Sequence, residues 1–193
     1  MAELIECVGP CELVPGPSGE LFPYLVRSIV FQQLNGTAAR AIFTRVCDVV
    51  GVGEAPTPDD IASTDVDTLR SAGVSATKVS AMHALAAFAQ DGQLPTVAEC
   101  AALSNESLVD QITQVRGIGP WTVHMALMFR LGRADVLPVG DYGVRAGYAS
   151  WYSLPDLPTP AQLRRSAPHW TPYCSVASWY LWRAADMPRT SAG

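Results

Sequence analysis

Helix start signals recur at short intervals along this chain, and no tract of alternating Val, Ile or Thr competes with them. Thr57-Pro58, Thr159-Pro160 and Thr171-Pro172 each set a capping residue before a proline at the first helical position, and Thr96 with Glu99 has capping-box spacing. Between these signals, apolar residues return at the period of a helix. Phe22, Val26, Val30 and Leu34 lie four apart, with Leu21, Leu25 and Ile29 beside them. That spacing predicts a helix over 21–34 whose polar residues are Arg27, Ser28, Gln32 and Gln33. Gly36 is expected to end it, and Thr37 to cap a second helix over 38–50 with Ile42, Val46, Val49 and Val50 inward. Further helices are expected near 66–72, 75–90, 97–103, 106–115, 120–131, 142–149, 160–166 and 172–185. About ten short helices with short connections describe an all-α fold. Residues 7–20, rich in Gly and Pro, are expected to form an irregular strap, and Arg189–Gly193 to fray.

A chain of 193 residues makes one domain, or two small lobes sharing a core. Apolar residues at 49% and charged residues at 16% exclude a disordered tail protein. Apolar stretches such as Ala84–Ala89 fall far short of the roughly 18 residues of a membrane span. No basic, apolar, small-residue leader opens the sequence, so a cytoplasmic protein is expected; no membrane contact is expected, and separately a monomer is. Cys7, Cys11, Cys47, Cys100 and Cys174 include no Cys-x-x-Cys pair and no His partner at metal-ligand spacing. Free, mostly buried thiols are expected, not a metal or iron–sulfur site.

The net charge of −5 by itself argues against a nucleic-acid partner. The charges are unevenly spread, however. Residues 1–60 hold 3 basic and 8 acidic groups, whereas 116–165 hold six arginines against Asp135, Asp141 and Asp156. Lys78 is the only lysine among the 13 basic residues.

One stretch is set by turn chemistry. In Gln114-Val115-Arg116-Gly117-Ile118-Gly119-Pro120-Trp121-Thr122, a helix ends near Val115, a Gly-x-Gly turn follows, and Pro120 opens the next helix. Amides at such a helix N-terminus face outward with the positive end of the dipole behind them, which suits a phosphate and needs no lysine. The same residues also describe a plain helical-hairpin turn with a glycine cap. Twenty residues beyond Trp121, the loop Leu137-Pro138-Val139-Gly140-Asp141-Tyr142-Gly143-Val144-Arg145 carries one carboxylate, Asp141, at an expected helix start. An aspartate there is ordinarily an N-cap.

Taken together, these motifs resemble the helix–hairpin–helix (HhH-GPD) DNA glycosylase superfamily. Its Leu-x-Gly-Ile-Gly-x-x-Thr-Ala hairpin corresponds to Val115–Val123, and its Pro-x-Asp loop to Pro138–Asp141. Ser28-Ile29-Val30-Phe31-Gln32-Gln33-Leu34 followed by Ala38-Ala39 is similar to a signature of the alkylpurine branch, the AlkA-like 3-methyladenine DNA glycosylase II type. Ala72-Gly73-Val74-Ser75 with Lys78, then Leu85-Ala86, matches another stretch of that branch. The resemblance runs from about residue 4 to 186. It implies a single glycosylase domain over 1–193, with the hairpin motif at about 106–131, the catalytic loop at about 137–145, and an active-site cleft between two lobes. The first expected helix lies near the start, so the N-terminal β domain of some relatives is not expected. Trp121 stands where lyase-capable relatives carry lysine, so Schiff-base chemistry is not expected. The cysteine cluster of the endonuclease III branch is missing, so no iron–sulfur cluster is expected. Gly140 replaces an acidic residue common before the catalytic aspartate, leaving Asp141 alone.

The implied activity is excision of alkylated purines, of the 3-methyladenine and 7-methylguanine type, from double-stranded DNA in base excision repair. A base inside a duplex must first be rotated out. Gln33, Leu34 and Asn35 are expected to enter the minor groove, although Gln33 also fits a solvated helix end. Trp121 and Tyr142, with Trp170 and Tyr173 as further candidates, are expected to offer aromatic faces to an electron-poor base; each also fits ordinary core. Trp151, Trp179 and Trp182 are read as core. Asp141 is expected to stabilise the developing cation on the sugar and to orient or deprotonate water. His124 and His169 are weaker candidates as acids. Arg116, Gly117, Ile118, Gly119, Thr122 and Arg145 are expected at the DNA phosphates, and backbone carbonyls of Thr113, Val115 and Ile118 at a structural Na+ or K+. No cofactor is required. A damage-binding module without catalysis, on the same fold, is the competing reading, and a helical protein–protein module the third.

Overall fold

The computed structural model describes residues 1–16, 19–53 and 55–187, so the expected fraying at Arg189–Gly193 lies outside the described residues. Among the described residues the regular structure is helical throughout, without strands. In chain order the α-helices are α1 (Ala2–Val8), α2 (Leu21–Phe31), α3 (Gly36–Val50), α4 (Pro58–Ser63), α5 (Val66–Ser71), α6 (Ala76–Gln90), α7 (Val97–Cys100), α8 (Asn105–Ile112), α9 (Pro120–Phe129), α10 (Tyr142–Trp151), α11 (Pro160–Arg164) and α12 (Cys174–Asp186). A 3-10 turn, Ala167–His169, precedes α12. The chain divides into two compact units, Pro17–Ala126 and Met1–Gly16 with Leu127–Gly193.

In the unit Pro17–Ala126, α6 is the shared partner of α2, α4 and α5, and α3 packs on α2 and α5. The expected face of α2 is buried through Leu21, Phe22, Leu25, Val26, Ile29 and Val30. Leu34, the fourth rung of that ladder, stands beyond the helix end and is 40% exposed. Asn35, not Thr37, caps α3: its side chain accepts from the Ala38 N–H at 2.9 Å, and Gly36 begins the helix instead of ending the previous one. The inner face of α3 is Ala39, Val46 and Cys47, while Val49 is exposed.

Capping boxes form at Thr57/Asp60, Thr96/Glu99 and Thr159/Gln162. Hydrogen bonds to the threonines hold the Asp60 and Glu99 carboxyls below their ordinary values. The start signal at Thr171-Pro172 fails. The Thr171 hydroxyl donates back to the Ala167 carbonyl at 3.3 Å, and α12 begins only at Cys174.

In the other unit, α10 lies along α12, α1 packs on α12, and α11 on α10. Leu4, Val144, Leu163 and Leu181 are fully buried there. A Cβ on Gly147 would run into the backbone carbonyl of Leu181, so α10 approaches α12 this closely only over a glycine. α1 is not among the expected helices and meets the expected strap only at Cys7 and Val8, and Leu4 is its one buried anchor. Cys47, Cys100 and Cys174 are buried and Cys7 and Cys11 exposed, all of them free. Burial pushes the Cys174 thiol up to about 11. No described helix is long and apolar enough to cross a membrane.

Candidate active site

The loop that leads to Asp141 is fastened to the start of α12. Ser175 is wholly buried. Its hydroxyl donates to the Arg133 carbonyl at 2.6 Å and accepts from the Val136 N–H at 3.1 Å. Its own N–H donates to the Ala134 carbonyl at 2.9 Å. Beside it, the Cys174 N–H donates to the Asp135 carboxylate at 3.2 Å, which supplies the α12 N-terminus with the acceptor that Tyr173 does not. The loop then turns tightly, with the Asp141 N–H donating to the Pro138 carbonyl at 2.8 Å.

Asp141 is partly buried and caps α10, its Oδ1 accepting from the Val144 N–H at 2.8 Å. The cap and the candidate catalytic carboxylate are therefore the same group. A second donor reaches that oxygen: the Trp182 indole N–H, at 2.8 Å. Trp182 is stacked on Phe129, ring centroids 6.0 Å apart and planes 20° off parallel. Ser175 and Trp182 are seven residues apart on α12, two helical turns, so one face of that helix holds both the root of the loop and its carboxylate. Reading Trp182 as core misses this bond. No local pattern announces it, because its partner lies 41 residues upstream.

Around Asp141 the candidates divide. Tyr142 is 72% exposed and Tyr173 62%, faces open to a ligand. Trp170 is instead a core residue, 9% exposed and edge-on to Tyr148 at 5.9 Å. The expected face of Trp170 is thus taken up by packing. Arg145 is tied down as well, its Nε donating to the Pro158 carbonyl at 2.7 Å. His169 is exposed.

The hairpin and the expected insertion turn both belong to Pro17–Ala126. The hairpin turn follows α8, with the Ile118 N–H donating to the Val115 carbonyl at 3.0 Å, and the Gly119 carbonyl accepts from the N–H groups of Thr122 and Val123 as α9 begins. Arg116 and Gly117 are exposed at its tip. Gly117 has φ 93°, and a Cβ there would come within 2.6 Å of the Ala81 side chain, so the turn is seated on α6 by a residue that must be glycine. Ile118 and Thr122 are buried, 4% and 3% exposed, so their side chains serve the hairpin core and leave ligand contact to the backbone. Trp121 is 48% exposed. His124 is partly buried.

The turn after α2 carries Gln33, Leu34 and Asn35, all exposed. Gln33 has φ 56°, a left-handed backbone that costs a residue with a Cβ about 1–3 kcal/mol. Two side chains brace the turn. Lys78 Nζ donates to the carbonyls of Val30 at 2.8 Å and Gln32 at 2.7 Å, and the Gln32 side chain donates to the Gly117 carbonyl at 3.0 Å. The side chain of Asn35 is occupied as the α3 cap. No group of three or more His, Cys, Asp or Glu residues that could hold a metal occurs among the described residues.

Comparison with known proteins agrees with this layout. The sequence model for HhH-GPD superfamily base excision DNA repair proteins matches residues 26–172. DNA-3-methyladenine glycosylase 1 of Schizosaccharomyces pombe is 38% identical over 168 residues, covering 87% of this chain and 74% of that one. The same organism's alkylbase DNA glycosidase-like protein is 31% identical over 189 residues, covering 97% and 89%. A solved structure of the Schizosaccharomyces pombe 3-methyladenine DNA glycosylase in complex with abasic DNA superposes with a TM-score of 0.86 at 35% identity, covering 97% of this chain and 92% of that one.

Proposed function

Because this chain belongs to the HhH-GPD superfamily of base excision DNA repair proteins, we propose that it is a DNA glycosylase that flips alkylated purines out of double-stranded DNA and hydrolyses their bond to the sugar. Relatives that cover most of its length carry the name DNA-3-methyladenine glycosylase or alkylbase DNA glycosidase-like protein, which supports that substrate class. The observation that carries the chemistry is the single carboxylate of Asp141, fixed by the Val144 N–H and the Trp182 indole on a loop riveted to α12.

Cleavage of the glycosidic bond builds positive charge on the sugar. A fixed carboxylate stabilises that charge without having to reorganise, and it can take the proton of the attacking water. A 3-methyladenine or 7-methylguanine leaves as a neutral base from a cationic nucleoside, so it needs little acid assistance and one carboxylate suffices. The exposed rings of Tyr142 and Tyr173 suit such a base, and Trp121 keeps the base-facing role that the family resemblance implies. The hairpin amides near Gly117 and Gly119, with exposed Arg116, bind backbone phosphate, which holds register without reading sequence. The carbonyls of Thr113, Val115 and Ile118 would hold a Na+ or K+ that adds positive charge toward that phosphate. Neutral oxygen donors suit such an ion, and the Val115 carbonyl keeps a lone pair beyond its bond to Ile118. The enzyme acts as a monomer in the cytoplasm with the chromosomal DNA, and with Trp121 in place of a lysine it hydrolyses without lyase cleavage.

Single-turnover release of 3-methyladenine-type bases from duplex oligonucleotides is the direct test. The native protein is expected to release base, and Asp141→Asn to lose release while still binding duplex. Salt-sensitive binding by the native protein without release of any alkylated base would overturn the enzyme reading in favour of a damage-binding module.

A further inference from the structure

The chain's only lysine sits where the catalytic reading gives it no task. Lys78 lies on the first turn of α6, partly buried, and its ammonium donates to two carbonyls at the C-terminal end of α2. Those carbonyls belong to the negative pole of the α2 dipole and would otherwise be left over at the helix end. They also lead directly into Gln33, which takes a left-handed backbone. Three residues on along α6, on the same face, Ala81 abuts Gly117 of the hairpin, and the Gln32 side chain joins the Gly117 carbonyl to the same turn. One face of α6 thereby fixes two surface features at once. One is the exposed tip Gln33-Leu34, and the other is the hairpin that grips phosphate.

We propose that Lys78 is a positioning residue for base flipping. Its two hydrogen bonds hold the Gln33-Leu34 tip in a strained conformation ready for insertion, at a register set by the hairpin. The inference rests on the reading of Gln33 and Leu34 as the group that fills the gap left by the flipped base. A tip that must replace a base in the stack has to keep its shape at the moment of insertion. A left-handed residue whose preceding carbonyls, those of Val30 and Gln32, are both held by one cation gains that stiffness, where a glycine would supply the geometry without it. Burial pulls the Lys78 ammonium below its ordinary value, and the two carbonyl acceptors compensate for the water it has given up.

The test compares single-turnover excision of one alkylated purine in a fully paired duplex with excision of the same lesion in an unpaired bulge, where there is no stacked partner to replace. Lys78→Met is expected to lower the duplex-to-bulge rate ratio about tenfold, the scale of a lost hydrogen bond to a charged group. Gln32→Leu is expected to lower it in the same direction, and Leu34→Ala to lower it as the reference for a blunted tip. A merely structural lysine would lower both rates together and leave the ratio unchanged. If the ratio keeps its native value in Lys78→Met while Leu34→Ala lowers it, the lysine is not the brace and the proposal is overturned. If Leu34→Ala also leaves it unchanged, the insertion reading itself is wrong and the proposal falls with it. Should Lys78→Met fail to fold, Gln32→Leu decides by the same ratio.

Discussion

Trp182 shows how one hydrogen bond can divide a residue between packing and chemistry. Its ring stacks on Phe129 while its N–H donates to Asp141 Oδ1 at 2.8 Å. A charge-assisted bond of this kind is worth about 1.5–3 kcal/mol. Trp182→Phe keeps an aromatic ring against Phe129 and deletes the donor. Single-turnover excision is therefore expected to slow by roughly 10- to 100-fold, with duplex affinity nearly unchanged. Asp141 itself shows how far the sequence reaches. The expectation of an N-cap follows from its place before α10 and that of a catalytic carboxylate from the family resemblance, and the cap bond to Val144 is present. What the sequence cannot supply is the second donor, because only tertiary packing brings Trp182 beside Asp141. Lys78 falls in a family-like stretch, but its acceptors lie 48 and 46 residues away.

Local chemistry is readable wherever a helix end is settled within its own turn. The boxes at Thr57, Thr96 and Thr159 form as their spacing requires. The parallel signal at Thr171 fails because a nearer acceptor, the Ala167 carbonyl, captures the hydroxyl, and the task of capping α12 passes to Asp135 from a distant loop. The end of α2 is overrun for a related reason. Its apolar period continues to Leu34, but the chain leaves the helix after Phe31, once Lys78 has taken the terminal carbonyls. Between α10 and α12 the decisive element is a missing side chain. Gly147→Ala must push a methyl group into the Leu181 carbonyl, which belongs to a helix backbone and cannot step aside. The expected cost is about 1–3 kcal/mol, and thermal unfolding should show Tm lowered by roughly 2–4 °C per kcal/mol. Excision should fall as well, because the displaced helices are those that carry Asp141 and Trp182.

The whole molecule treats its reactive side chains sparingly. Iodoacetamide at mildly alkaline pH is expected to label Cys7 and Cys11 in the native protein and all five cysteines after denaturation, counted by intact mass. The Cys174 thiol, raised to about 11 and buried, stays protonated and out of reach. Amines are scarcer still. Twelve of the thirteen basic residues are arginines, whose guanidinium does not add to an aldehyde, and the one lysine has its ammonium lodged between two carbonyls. Borohydride added during turnover is accordingly expected to leave no covalent protein–DNA adduct on a denaturing gel. The ring-opened sugar left by excision is an aldehyde, and this protein has given away almost every group that could capture it. A brace built from the last available side-chain amine is thus expected to have a second effect: the strand that has lost its base would be handed on uncut.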